Sequence, residues 1–425
     1  MSLSRRNFIR NSVATAGAVT IMSGMEGCSP APETASSNPL DNLKSMTNDI
    51  VPISVEERQG RIAKAQRLMV ENKIDAIFLD GGTSMEYFTG IRWGTSERMM
   101  AAIIPSKGEV MYVSPHFEEA RVRELMTIGK DVRVWEEHES PYKVVASIFS
   151  DWGIRTGKIG MEERVRFFLY DGVRKEASTL EYTSADPVTI NCRMFKSPPE
   201  LALMQKANEV TLESYRASIP LLKAGMSPGD FSVIVSDTHR RLGARGSAFA
   251  SFGTATAFPH GSSTPQKLKE GDVVLMDGGC SVGGYASDIT RTVVFGEPTK
   301  RQREIWDLEK ASQAAGFAAA KLGEPCENVD IASRKVITDA GFGPGYQVPG
   351  LPHRTGHGIG MEGHEWGNMV LGNKTPLQPG MCFSIEPTIC IYGEFGIRIE
   401  DCAYMTEQGV KWFTEPSSSI EKPCS

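Results

Sequence analysis

The sequence predicts an α+β protein of two domains, and three patterns carry that prediction. Residues 50–192 alternate short apolar strand runs with helical stretches, as an α/β unit does. Residues 193–425 pass through two helices and a set of strands, then repeat that order. Each strand set of this second unit delivers two carboxylates: Asp277 and Asp288 in MDGGCSVGGYASDITRT, then Glu386 and Glu400 in FSIEPTICIYGEFGIRIED.

The chain opens on SRRNFIR, a twin arginine leading into an uncharged, mildly apolar stretch from Asn11 to Met25. That stretch is shorter than the roughly 20 apolar residues a membrane span needs. It resembles a bacterial twin-arginine export signal over residues 1–27, which implies an exported, extracytoplasmic protein. MEGC at residues 25–28 resembles a lipoprotein cleavage box, with Cys28 as a possible lipid anchor to the membrane. Residues 28–49 are polar and dotted with proline, and read as a flexible tether.

In the first unit a helical pattern over Val55–Asn72 leads into the buried-strand run IDAIFLD and a GGTS turn. MAAIIP and EVMYVSP follow as strands around Lys107–Gly108, and KIGMEE and LEYTSADP continue the alternation. No chemical constellation stands out here, and His116 and His138 read as surface or structural histidines. The expected role of this unit is to shape access or to mediate pairing, with a homodimer as the expected assembly.

The second unit begins with helices at Pro198–Lys223, opened by a proline pair, and at Gly229–Gly243. The strands GDVVLMDGG and GYASDITRTVVFG follow. Helices at Arg301–Leu322 and Val329–Ala340 then precede GMCFSIEPTICIY and FGIRIEDCAYMT. The duplicated order predicts a pseudo-twofold arrangement, with helices outside and a curved antiparallel sheet within. Cys280, Cys382, Cys390 and Cys402 fall beside the acid-bearing strands and read as small core residues, not as disulfides or a zinc site.

The formal charge is -6, and loss of residues 1–27 removes three arginines and Glu26, leaving about -8. That balance argues against nucleic acid as a partner, which needs a basic face. KRQR at 300–303 reads as the solvated start of a helix.

Four carboxylates in apolar strands are costly unless a positive charge meets them. Only Arg291, Arg354 and Arg398 lie near, so a bound metal centre is inferred. Acids on opposing strands are cross-strand neighbours about 5 Å apart, and two such pairs suit two ions. His357, in HRTGHGIG, adds an imidazole, and mixed ligation of this kind suits Mn, Co, Fe or Zn. Two adjacent ions can bridge a water and make hydroxide at neutral pH, which points to a hydrolase. Of seven histidines, His260, His353, His357 and His364 cluster in this unit, which favours function over structure. GIGMEG matches a dinucleotide fingerprint, but follows no predicted strand and opens no helix, so cofactor binding there is rejected.

DGGCSVGGYASDITRT, HRTGHGIGMEGHE, SIEP and RIED together resemble the pita-bread metallopeptidases, in the Xaa-Pro aminopeptidase and prolidase branch. The resemblance implies a creatinase-type N-terminal domain and a pita-bread catalytic domain. It implies metal ligation by Asp277, Asp288, His357, Glu386 and Glu400, with Asp288 and Glu400 bridging two ions and Glu386 accepting a proton. It further implies that His260 handles a proton near the scissile bond. His353 would hold the substrate's proline side, and His364 the oxyanion. Arg398 is expected to orient carboxylates, and Tyr285 to pack. Manganese is the expected metal, with cobalt or zinc as alternatives. The expected substrate is a peptide with proline in second position, as a dipeptide or longer. Two rivals stand beside this reading: a metal-dependent lyase or C–N hydrolase acting on a small substrate, and an inactive binding module.

Overall fold

The computed structural model describes residues 39–424; residues 1–27, read as an export signal, and Cys28 lie outside the described residues. The N-terminal domain holds a six-stranded mixed sheet. Its central strand, Ala76–Asp80, pairs antiparallel with Ala101–Pro105 and parallel with Lys158–Met161. Each of these three strands is buried along almost its whole length, as continuous apolar runs flanked by helices should be. Helix Val55–Glu71 covers one face and Pro141–Asp151 the other.

In the C-terminal domain the two helix pairs appear as Pro198–Ser218 with Pro228–Arg241, and Lys300–Ala319 with Glu327–Asp339. Three of the four begin on a capping signal in the sequence. Ser227 and Asp230 form a capping box, as do Thr299 and Gln302. Such caps contribute about 1 kcal/mol each. The long helix Pro198–Ser218 starts on its proline pair, and Glu200 Oε2 accepts from the Ser197 amide at 2.9 Å.

The strands form two larger antiparallel sheets and a two-stranded one, Thr388–Ile391 with Phe395–Arg398. Val273–Val282 lies between Arg245–Phe252 and Ile289–Val294 in one sheet; Cys382–Ile385 lies between Gly356–Gly358 and Asp401–Thr406 in the other. The halves meet at an isolated bridge between Thr290 and Glu400, whose amide donates to Thr290 O at 3.2 Å.

Three expectations are corrected. Strand Arg245–Phe252 was not foreseen, because RGSAFASF is small and polar and lacks an apolar run. His357 sits on a short strand, where no strand was predicted before GIGMEG; a β-carbon at Gly358 would stand 2.6 Å from the Trp366 carbonyl carbon, so only glycine lets the strands approach. The stretch read as a tether is ordered at its end. Leu43 and Met46 pack on the C-terminal core, and the Met46 amide donates to Leu242 O at 2.9 Å. The seven cysteines among the described residues are free and buried, and the four expected in the core, Cys280, Cys382, Cys390 and Cys402, are among them.

Candidate metal centre and active site

The four acids converge at the junction of the two sheets. The second pair faces directly: Ile385 opposes Asp401 and Thr388 opposes Arg398 in one continuous register, so Glu386 and Glu400 oppose each other in the gap between the ladders. The first pair does not. Asp277 opposes Thr290, which leaves Asp288 on the diagonal instead of directly across as expected. Both are on one face, and their reach closes the gap. Ligand atoms of Asp277, Asp288 and Glu400 lie within 4.8 Å of one another, and so do those of His357, Glu386 and Glu400. Glu400 is common to both groups.

Glu400 is the most deeply set. Its side chain is 2% exposed, against 27% for Asp277. Thr290 Oγ1 donates to Glu400 Oε2 at 2.6 Å, while the buried Oε1 has no hydrogen-bond partner. Such an atom is expensive to bury unless something electropositive faces it. Burial raises the pKa of Asp288 and Glu400 well above the carboxylate range, and neighbouring carboxylates add to the effect. Burial likewise lifts Glu386 to about 7, against the pull of Arg398.

Arginine does not neutralise this cluster. Arg291 is committed to Asp401 at 2.6 Å, both fully buried, and it supports the Glu400 backbone carbonyl at 2.8 Å. Arg398 pairs with Asp277, and its Nε donates to Thr290 Oγ1 at 3.2 Å. One guanidinium therefore faces four carboxylates, and the arrangement fits divalent cations.

His357 is oriented toward that centre. Its Nδ1 lies 3.0 Å from Gly358 O and so carries the proton, which leaves Nε2 free as an acceptor. Nε2 stands 3.2 Å from Glu386 Oε1, 3.8 Å from Asp288 Oδ2 and 3.9 Å from Glu400 Oε1. Burial lowers its pKa to about 3, so the ring is neutral.

The other histidines gather beside it. The His364 ring lies 3.9 Å from the His357 ring, and Arg354 Nη2 donates to His364 Nδ1 at 3.1 Å. That contact places the His364 proton on Nε2. Burial, aided by Arg354, lowers the His364 pKa. His353 has both nitrogens engaged, with Arg354 O at 2.7 Å and Thr388 Oγ1 at 3.0 Å. Burial lowers its pKa to about 4, and the nearby Arg398 and His260 oppose its protonation too.

Sequence reasoning missed the supports. Thr290 grips Glu400, and Ser384 Oγ accepts from the His357 amide at 3.0 Å. Asp330 holds Thr355, whose carbonyl accepts from the Glu386 amide at 2.7 Å. Thr290 was findable, two positions after Asp288 on the same strand face; Asp330 gave no local signal. Tyr285 is packed in the core as expected, and in addition donates to Glu200 Oε1 at 2.8 Å. GIGMEG follows a strand after all, but opens no helix.

Residues 202–407 match the model of metallopeptidase family M24, and residues 61–195 match the creatinase/prolidase N-terminal domain. An uncharacterized peptidase of Schizosaccharomyces pombe is 34% identical over 85% of this chain and 82% of its own. The chain belongs to metallopeptidase family M24. The Xaa-Pro dipeptidase of Lactobacillus delbrueckii subsp. lactis is 31% identical over 84% of this chain and 97% of its own. The crystal structure of prolidase from Thermococcus sibiricus superposes with a TM-score of 0.78 at 28% identity, covering 84% and 97% of the two chains. This M24 enzyme is a metallopeptidase with the pita-bread fold and a creatinase-like N-terminal domain.

Proposed function

We propose that this enzyme cleaves the bond between an N-terminal residue and a following proline, using two divalent ions held by Asp277, Asp288, His357, Glu386 and Glu400. The observation that carries this is the shared Glu400, buried with an unpartnered oxygen where two ligand groups meet. The names of the Lactobacillus and Thermococcus proteins support the Xaa-Pro assignment, and the former supports a dipeptide as the first substrate to try. When bound, such ions supply Lewis acidity that polarises the scissile carbonyl and lowers the pKa of water. Manganese is the proposed metal.

The chain's own groups do the remainder. Glu386, raised toward neutrality by burial, accepts the proton of the attacking water. His364, held by Arg354 with its proton on Nε2, donates to the developing oxyanion. His353 has no free nitrogen to offer, so its ring packs against the proline side of the substrate. His260 handles the proton passing to the leaving nitrogen. Arg398 holds Asp277 in place.

Purified protein tested for metal content and for cleavage of Ala-Pro, Ala-Pro-Pro and Ala-Ala decides the matter. The expected result is two ions per chain and cleavage confined to the proline peptides. Bound metal with neither proline peptide cleaved would favour the small-substrate chemistry, and no metal affinity would favour a binding module. We further propose export through the twin-arginine route and a homodimer. Fractionation of cells carrying Arg5→Lys with Arg6→Lys tests the first, and sedimentation mass the second.

A further inference from the structure

Glu365, the residue next after His364, is the centre of a second buried charge cluster that nothing in the proposed chemistry uses. Glu365, with its side chain 1% exposed, receives Arg193 Nη2 on Oε1 at 2.6 Å and Lys196 Nζ on Oε2 at 2.9 Å. Oε1 also accepts from the amides of Met361 at 3.0 Å and Glu362 at 3.3 Å, folding the loop after His357 back on itself. Gly360 makes room for this: a β-carbon there would stand 2.5 Å from Glu365 Oε2 and 2.7 Å from Lys196 Cε. The carbonyl of Gly360 accepts from the Ala286 amide at 2.7 Å, two residues before Asp288.

The cluster continues into the N-terminal domain. Arg193 Nη1 donates to Ser84 Oγ at 3.1 Å, and Ser84 Oγ donates to Glu162 Oε1 at 2.7 Å. Glu162 Oε2 accepts from the Arg164 amide at 2.8 Å, and the Arg164 side chain pairs with Glu362 in the catalytic loop. One contact, Arg164–Glu362, thus runs from the first domain directly into the six residues between His357 and His364, and a second path reaches Glu365, next after His364, through Ser84 and Arg193.

We propose that Arg193, Lys196 and Glu365, with the Arg164–Glu362 pair, are positioning residues through which the N-terminal domain sets the loop carrying His357 and His364. None touches the acids that gather the ions. Their effect is on where His364 stands, and the catalytic consequence rests on the role given to His364 above. Displacing a group by about 1 Å from a distance can lower turnover by about 10²-fold.

The test measures Ala-Pro turnover, metal content and amide exchange over residues 358–366 on the full chain. Glu365→Gln should lower kcat by about 10-fold or more, leave KM and metal content within twofold, and speed exchange at Met361 and Glu362. Because this variant removes a buried charge and can fail to fold, the half-exposed pair supplies an independent route. Arg164→Glu and Glu362→Arg should each lower kcat and speed loop exchange, and the double swap should restore both. Arg164→Lys should keep both near the parent values. A swap series that leaves kcat and loop exchange unchanged, or whose double variant recovers neither, overturns the proposal. Should the parent cleave no Xaa-Pro peptide while the exchange pattern appears, the positioning stands and the assigned reaction fails.

Discussion

The two buried charge clusters of the catalytic domain are built on opposite principles. Around Glu365, two cations meet one carboxylate at hydrogen-bond distance, and Glu365 is held down to about 2 against its burial by Lys196 and Arg193. Around Glu400, four carboxylates share one guanidinium, and burial lifts Glu386 to about 7. The first cluster is complete within the chain. The second is complete only with a cation from outside. Net charge and unpartnered atoms, more than acid count, separate a structural ion cluster from a binding site.

The comparison breaks most sharply on substitution. Glu400→Ala should lower peptide turnover by roughly 10³-fold, yet the metal-free variant should melt no lower than the metal-free parent, since a buried carboxyl group with an unpartnered oxygen has gone. Steady-state kinetics and thermal melts with and without chelator check both halves. Glu365→Ala should behave in the opposite way, destabilising the chain by about 3–5 kcal/mol whether or not metal is present, because Arg193 and Lys196 are left buried without their partner. Denaturant unfolding reads that loss, and equal midpoints for Glu365→Ala and parent would contradict it.

The two clusters were not equally visible in the sequence. The acids could be read because each sits in or beside an apolar strand run, so strand pairing brings them together; only the diagonal offset of Asp288 was misjudged. His357 was identified by its glycine surroundings, although its strand was not. Glu365 was invisible in its role, since its partners lie 169 and 172 positions away and no local pattern links them. Arg245–Phe252 was missed because it has too little apolar character to signal a strand. Leu43 and Met46 were discounted within a polar stretch, where spacing could not show that the C-terminal core offers them a place.

Smaller effects sharpen the contrast. Thr290→Val removes the hydroxyl that fixes Glu400 Oε2 and should weaken metal affinity by about 10-fold without unfolding the protein; competition against a metal indicator measures it. The pH windows should also differ in sign. Glu386 has a raised folded pKa, so its cost to the metal-free protein is absent below its ordinary value of 4.5 and grows as pH rises through about 7. Glu365 has a lowered one, so its stabilisation is present above 4.5 and is lost as pH falls toward about 2. The melting difference between metal-free parent and Glu386→Gln should therefore widen from pH 5 to pH 8. The difference between parent and Glu365→Gln should instead shrink below pH 4.5.

Calorimetric titration of the metal-free protein with Mn²⁺ at neutral pH tests the uncompensated cluster most directly. Two ions per chain should bind, with protons released from the raised carboxyl groups and a higher melting temperature, and Glu400→Gln should abolish the paired stoichiometry. A parent protein that takes up no ion, or whose uptake is unchanged by Glu400→Gln, would contradict the account.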